Sequence, residues 1–390
     1  MFKKEYKKML DINRFIAAYE GGNTAPYGTE EIISALKDHS YRFNVEGGLL
    51  RDKLVLKVME TILIEIFEPT FCNSSHGFRA NRGYHSCLRS IKYGWKGTKW
   101  FIEGDISNYF DYHIPSNIMM EKVQDREFID LYWKAVRANY VSLRGEKGFK
   151  GVREGSSLSG IISNIYLHNL DLFMEEKIKE SNKSGPVSLG RGFRIKYVRY
   201  GDGFLIGIKG NEDLCLQLKE EISQFLYKEL GLILKTKIKS AIKGRANFLG
   251  SEICVRARDG HIVLLAPLEK LVHKLKDQGM CRVVDFRQRK IIPTRKTDWR
   301  NLDLVSIVTK YGMVWRDILN YYSFADNRSQ LNLIQFILHH SCACTMGDKQ
   351  RLKSRAKVFR KWGVDLEVEK GIRFPIQKSL RKICSFNRKI

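Results

Sequence analysis

No apolar run in this 390-residue sequence reaches the roughly 18 residues that a membrane span needs, because charges interrupt every candidate, as in VLKVMETILIEIF. The N-terminal MFKKEYKKMLDINRF lacks an apolar signal core and carries Glu5 and Asp11 among its cations, so it reads as neither a secretory signal nor a transit peptide. A protein with this beginning that works in an organelle is expected to be made there. The eight cysteines contain no C-x-x-C pair and no even framework, which excludes a disulfide scaffold and points to reduced thiols in a cytosol-like or organellar setting. His339, His340, Cys342 and Cys344 are four potential zinc ligands, but no turn residue separates them from the preceding LNLIQFIL. On a continuing helix they point to different faces, so buried helix residues and no zinc are expected. Acid is the scarce charge: 43 Asp and Glu stand against 68 Lys and Arg, a net +25. That balance points to a polyanion, nucleic acid first, the alternative being a basic but inert surface. There is no internal repeat.

What is present suffices for two or three domains, since 43% of the residues are hydrophobic. DKLVLKVMETILIEIFE places Leu54, Val58, Ile62, Leu63 and Ile66 at helical spacing. HGFRANRGYHSCLRSI turns into another helix, and KWFIEGDISNYFD is a short apolar strand ending at Asp105. GSSLSGIISNIYLHNLDLFMEEKIKE is a glycine and serine loop feeding a long helix. IKYVRYGDGFLIGI is two apolar runs around a Gly-Asp-Gly turn, a hairpin by its chemistry. A helix (EDLCLQLKEEISQFLYKEL) and a strand (RANFLGSEICV) close an α+β unit near residue 255. Beyond it the pattern is almost wholly helical, with 281–300 a basic linker.

Asp105 and Asp202 each end an apolar strand, as a magnesium-dependent phosphoryl-transfer site requires. Polymerases hold two Mg²⁺ about 3.5–4 Å apart, and Mg²⁺ takes a few carboxylates plus phosphate and water oxygens. By themselves two strand-end aspartates are also ordinary turn residues.

The words around these acids, in order along nearly the whole chain, resemble the group II intron maturases, multifunctional reverse transcriptases encoded within introns. FIEGDISNYFD is similar to the family's first catalytic strand, with Asp105 as metal ligand and Phe110 where an aromatic screens the sugar 2′ position. GVREGSSLSGIISNIYLHNLDLFM, containing Gly155, resembles the nucleotide loop, and YVRYGDGFLIGI the hairpin that usually reads Tyr-Ala-Asp-Asp. LKTKIKSAIKGRANFLG resembles the Lys-Thr and Phe-Leu-Gly motif closing the palm. The resemblance implies an α+β right-hand polymerase fold: shortened fingers over 1–95, palm over 96–258, an all-helical thumb and maturase X domain over 262–365, and a basic tail over 366–390. It also implies Mg²⁺ for any remaining polymerase chemistry.

The departures fall in the nucleotide site. Gly203 replaces the second aspartate of the hairpin, Arg153 and Glu154 replace Pro-Gln, Gly160 replaces the proline after Ser159, and the segment that grips the triphosphate is largely absent. Two Mg²⁺ bring +4 to a site where Asp105 and Asp202 supply −2. A missing ligand of this kind costs several kcal/mol of transition-state stabilisation. Glu103 shares the strand face of Asp105 and could compensate, although a structural role is the simpler expectation. Asp105 and Asp202 are therefore expected to be vestigial ligands, with polymerase activity lost or weak; an active reverse transcriptase is the alternative.

The second half keeps its family pattern. VWRDILNYYSFADN is similar to the maturase signature, and the implied partner is group II intron RNA, with no membrane and a homodimer left open. Lys349, Arg351, Lys353, Arg355, Lys357, Arg360 and Lys361 form a basic run without an acid, and Tyr321, Tyr322 and Trp362 are planar groups that could grip bases or pack the core. No Cys and His cluster of the family's endonuclease follows residue 365. A mitochondrial, organelle-encoded protein is expected, chloroplast or bacterial cytoplasm being the alternatives.

Overall fold

The computed structural model describes residues 50–107, 116–138, 157–185, 192–352 and 354–377. The chain forms two compact units, Met1–Ile91 with Thr98–Lys239, and Lys92–Gly97 with Ser240–Ile390.

In the first unit, α1 (Leu50–Phe67) and α2 (Tyr84–Gly94) precede β1 (Trp100–Ser107), α3 (Ser116–Met120), α4 (Arg126–Arg137) and α5 (Ser157–Lys183). Then come β2 (Arg194–Tyr200), β3 (Gly203–Lys209), α6 (Glu212–Leu230) and β4 (Ile233–Ser240), the last at the boundary between units. The sheet order is β2-β3-β1-β4, with β1–β3 and β2–β3 antiparallel. The helical spacing read in α1 holds: Leu54, Val58, Ile62 and Leu63 are buried, and Ile66 packs against the same core. Ile102 and Ile106 of β1 and Phe204, Ile206 and Ile208 of β3 meet α5 and α6 in that core. Gly104 is needed there, because a Cβ would fall 2.1 Å from the Phe204 ring opposite it. Asn211 caps α6 by accepting the Leu214 N–H at 3.2 Å, and Gly231, at φ 64°, ends it.

The second unit holds β5 (Ala246–Phe248), β6 (Ser251–Val255) and β7 (Ile262–Leu265), an antiparallel meander. α7 (Leu268–Asp277), β8 (Cys281–Asp285), β9 (Lys290–Pro293), α8 (Leu304–Tyr321), α9 (Asn332–Lys349) and α10 (Arg355–Trp362) follow. The expected linker at 281–300 is thus a β-hairpin ending in a short 3₁₀ turn at Thr297–Trp299. Its period-2 pattern is real, with Cys281, Ile291 and Pro293 facing inward, but the charge density of FRQRK hides it in the sequence. The expectation of an almost wholly helical region after residue 255 fails for the same segment and for β7. The continuing helix through His339, His340, Cys342 and Cys344 is found as α9.

Candidate metal centre and nucleic-acid interface

The two aspartates come together in the first unit because β1 and β3 are neighbours. Asp105 stands opposite Gly203, and the Ile106 N–H donates to the Asp202 carbonyl at 3.3 Å. The β2–β3 loop is Gly201-Asp202, with Tyr200 opposite Gly203. Gly201 has φ 63°, the conformation a two-residue hairpin loop with glycine first requires. Burial raises the Asp202 pKa, and the negative charge of Asp105 raises it further, against the backbone N–H groups of Asp202 and Gly203, which lower it.

A third acid is close by and already engaged. Glu103, on the same strand face as Asp105, is held by Lys239 of β4 at 2.8 Å. Among the described residues no group of three or more His, Cys, Asp or Glu side chains is placed to hold a metal. Asp105 and Asp202 are a pair of carboxylates, the oxygen donors that a divalent cation takes together with water or substrate oxygens.

The hairpin turn is braced by residues that carry no motif in the sequence. Arg199 is fully buried and grips the fully buried Asp171 of α5, Nε to Oδ1 at 2.9 Å and Nη2 to Oδ2 at 2.6 Å. Its Nη1 donates to the Gly201 carbonyl at 2.9 Å and to Asn164 Oδ1 at 3.1 Å, and its Nη2 to Ser75 Oγ at 2.9 Å. Asn164 Nδ2 donates onward to the Gly77 carbonyl at 2.7 Å, and Tyr197 OH to Asp171 Oδ1 at 2.8 Å. Gly77 is required by closeness, since a Cβ would lie 2.6 Å from the Gly201 nitrogen. The signal that could have found this brace is an arginine in the middle of an apolar strand, where an unpaired charge is prohibitive. At Gly160, inside the first turn of α5, a Cβ would meet the Phe78 ring at 2.8 Å, so that glycine makes room for an exposed aromatic. Phe110 and Gly155 lie outside the described residues, as do Arg153 and Glu154.

The basic run of the second unit lies at the end of α9 and on α10. Arg351, Arg355, Lys357, Arg360 and Lys361 are exposed and Lys349 is half-buried, while Lys353 lies outside the described residues. α10 starts at Ser354, whose side chain accepts the Lys357 N–H, and it is held down by Val358. Gly347 of α9 permits that approach, its Cβ position being 3.1 Å from Val358 Cγ2. Two placements cost stability. Arg351 has φ 54°, in the left-handed position that usually takes glycine after a helix, with the Leu352 N–H reaching back to the Gly347 carbonyl at 2.8 Å. Arg355 and Lys357 occupy the first turn of α10, where the helix dipole disfavours cations. Lys361 lies 4.6 Å from the centroid of the Trp362 ring.

Tyr321 and Tyr322 direct their hydroxyls into the unit. Tyr322 is buried and donates to the Gly250 carbonyl at 2.9 Å, and Tyr321 donates to that of Leu249 at 2.7 Å. Leu249 and Gly250, both at positive φ, are the β5–β6 turn. Asp326 and Asn327 continue the clasp. Asp326 Oδ2 accepts the Leu264 N–H at 2.9 Å, and Asn327 Oδ1 that of Ala266 at 2.8 Å. YYSFADN thus fastens the Phe-Leu-Gly turn and the exit of β7. In α9, His339 Nε2 bonds the Val364 carbonyl at 2.7 Å and Cys342 is buried.

A sheet that sets Asp105 of β1 beside the Asp202 turn, followed along the chain by a mostly helical unit with a basic surface, is the arrangement of a reverse-transcriptase-type chain. The family model for reverse transcriptase (RNA-dependent DNA polymerase) matches residues 37–253, and that for type II intron maturase matches 259–388. The chain belongs to the group II intron-encoded reverse transcriptase and maturase family, with that family's reverse-transcriptase-like α+β fold and helical C-terminal region. It is 27% identical to the group II intron-encoded protein LtrA of Lactococcus lactis subsp. cremoris, over 92% of this chain and 72% of that protein. It is 30% identical to the putative COX1/OXI3 intron 1 protein of Saccharomyces cerevisiae (82% and 46% covered) and 29% identical to an uncharacterized 91 kDa protein in the cob intron of Schizosaccharomyces pombe (87% and 51% covered). The chain thus spans about half the length of these two relatives. Against a telomerase from Candida albicans the identity is 12% over 76% of this chain and 52% of that chain, with a TM-score of 0.33, too low to carry an argument.

Proposed function

We propose that this protein is a splicing cofactor: it binds a group II intron RNA through the basic surface of its helical unit and stabilises the folded RNA, which performs the chemistry. The observation that carries this reading is the pair of cationic placements at Arg351 and Arg355, each unfavourable for the fold and each favourable for a phosphate. The palm serves as scaffold. Asp105 and Asp202 would hold at most one Mg²⁺, which when bound would supply Lewis-acid charge to a phosphate oxygen; Gly203 adds no ligand and Glu103 is tied to Lys239. Polymerase activity is accordingly absent or weak. A mitochondrial setting is supported by relatives such as the nuclear intron maturase 1, mitochondrial, of Arabidopsis thaliana.

The second reading, an active RNA-directed DNA polymerase, is favoured by one observation: the Arg199 network still holds the Asp202 turn. The two separate in one set of assays. A group II intron transcript is incubated at Mg²⁺ too low for self-splicing, with and without protein, and the protein is expected to restore splicing. A primed RNA template with dNTPs and Mg²⁺ is expected to give no extension beyond that of Asp105→Ala. Extension that Asp105→Ala abolishes would sink the scaffold reading, and failure to promote splicing of any such intron would sink the cofactor reading.

A further inference from the structure

We infer that the β8–β9 hairpin is a second RNA-contacting element, distinct from the basic run on α9 and α10, and that it grips the phosphate backbone of folded RNA. This inference rests on the RNA-binding reading above. Three observations carry it.

The hairpin is two-faced. Cys281, Ile291 and Pro293 face the unit's interior, whereas Arg282 and Val284 of β8 and Lys290 and Ile292 of β9 face outward, with Arg287, Gln288 and Arg289 exposed at the tip. Val284 is 52% and Ile292 38% exposed, so cations alternate with small aliphatic surfaces. Cations suit phosphates and the aliphatics suit sugar faces. Asp285 is the hairpin's single acid, and its Oδ1 accepts the Gln288 N–H at 3.0 Å, closing the tip. Among the described residues Arg282, Arg287, Arg289 and Lys290 form no ion pair.

The tip holds an arginine where glycine would be easier. Arg289 has φ 55°, and this conformation is fixed by the bonds from the Arg289 N–H to the Phe286 carbonyl and from the Ile291 N–H to the Arg289 carbonyl, each 3.0 Å. An arginine kept in the left-handed region at an exposed cationic tip points to use of its charge.

The mount is rigid. The Thr294 N–H donates to the Met280 carbonyl at 3.0 Å, Ser341 of α9 donates to the Thr294 carbonyl at 2.6 Å, and the Lys296 N–H donates to Thr345 Oγ1 at 3.0 Å. Arg295 and Arg300 both reach Asp348, at 2.9 and 3.1 Å, one residue before the basic run begins at Lys349. The hairpin base and the basic run therefore share the last turn of α9, which holds both cationic surfaces in one fixed arrangement.

The test uses the full chain and a labelled group II intron transcript, with affinity measured over a salt series. Arg289→Gly is expected to hold or raise Tm while weakening binding about fivefold, and Arg287→Glu with Arg289→Glu to weaken it more than about tenfold and lower the slope of log affinity against log salt by about 2. A photoreactive side chain at position 288 is expected to crosslink to the transcript. Unchanged affinity and slope in both tip variants, while Arg355→Glu with Lys357→Glu still binds weakly, would overturn the hairpin site and leave the RNA-binding reading standing. A lowered Tm with unchanged affinity in Arg289→Gly would make the residue structural and also overturn it. Wild-type protein that fails to bind the transcript above a heparin-competed background would overturn both.

Discussion

The two units use their charges in opposite ways. In the first, the strongest electrostatic arrangement is internal: Arg199 and Asp171, both fully buried, brace the turn that sets Asp202 beside Asp105 of β1, two carboxylates where the family pattern has three. In the second, the cations of the basic run and of the β8–β9 tip are external, and some are held against local preference, with Arg289 and Arg351 at positive φ and Arg355 at a helix N-terminus. Losing one member of a buried pair leaves the other an uncompensated charge, whatever chemistry remains beside it. An exposed cation in a costly position needs a reason outside the fold. On the proposed reading the palm serves as architecture, while the second unit gives up local stability for its surface.

This contrast is easiest to break at the buried pair. Arg199→Ala leaves Asp171 buried without its partner and should destabilise the protein by about 3–5 kcal/mol, read by urea unfolding. A loss under about 1 kcal/mol would show that the brace is not structural. Next comes Arg355→Glu with Lys357→Glu, expected to weaken intron RNA binding by about 10–100-fold at low salt and to flatten the salt slope, with Tm unchanged or raised because acids suit that helix end. Tyr322→Phe removes the bond to Gly250 and should cost about 1 kcal/mol without altering RNA affinity; weaker RNA binding at equal stability would return this ring to the interface. Gly203→Asp sets a carboxylate opposite Asp105 and should destabilise the metal-free protein by about 1 kcal/mol. If the first unit keeps a usable cation site, millimolar Mg²⁺ recovers that loss, and no recovery would mark the site as wholly vestigial.

A pH dependence is common to both units. Burial, helped by Arg82 and Arg79, pushes the His76 imidazole down to about 4, and burial with His339 and Arg355 nearby does the same to His340. Each folded-state value lies below the ordinary 6.5, so the unfolded chain takes up the proton first. Stability from these two residues is full above about pH 6.5 and is lost as pH falls towards about 4. His76→Gln and His340→Gln should each flatten the stability profile in that window, and an unchanged profile would count against the burial of the imidazole concerned.

Several elements were legible before the fold was known. The spacing of Leu54, Val58, Ile62 and Leu63 marks α1, the long apolar helix read from the glycine and serine segment is α5, although it already begins at Ser157, and Gly201-Asp202 between apolar runs is the β2–β3 hairpin. The β8–β9 hairpin was not legible, because arginines and lysines on its outward face look the same as those of a solvated linker. Of the candidate site, Asp105 and Asp202 were found by the apolar runs before them and by family words, although β1 continues past Asp105 to Ser107. Arg199 was missed, since nothing adjacent in sequence shows that Asp171, 28 residues away, neutralises it. Tyr321 and Tyr322 were open to two readings, and the carbonyls that decide between them lie 72 residues upstream.

The sequence alone determined what depends on neighbours along the chain: the helix and strand periods, the excess of cations, and the glycine standing where the family's hairpin has its second aspartate. The tertiary structure decided what depends on partners far apart. It tied Glu103 to Lys239 by making β1 and β4 neighbours, turned the YYSFADN segment into a clasp on the β5–β7 sheet, and faced the cations of β8 and β9 outward. The reason is physical. Periodicity and charge are properties of the chain itself, whereas the partner of a carboxylate, a hydroxyl or a guanidinium is settled only when strands and helices distant in sequence pack against one another.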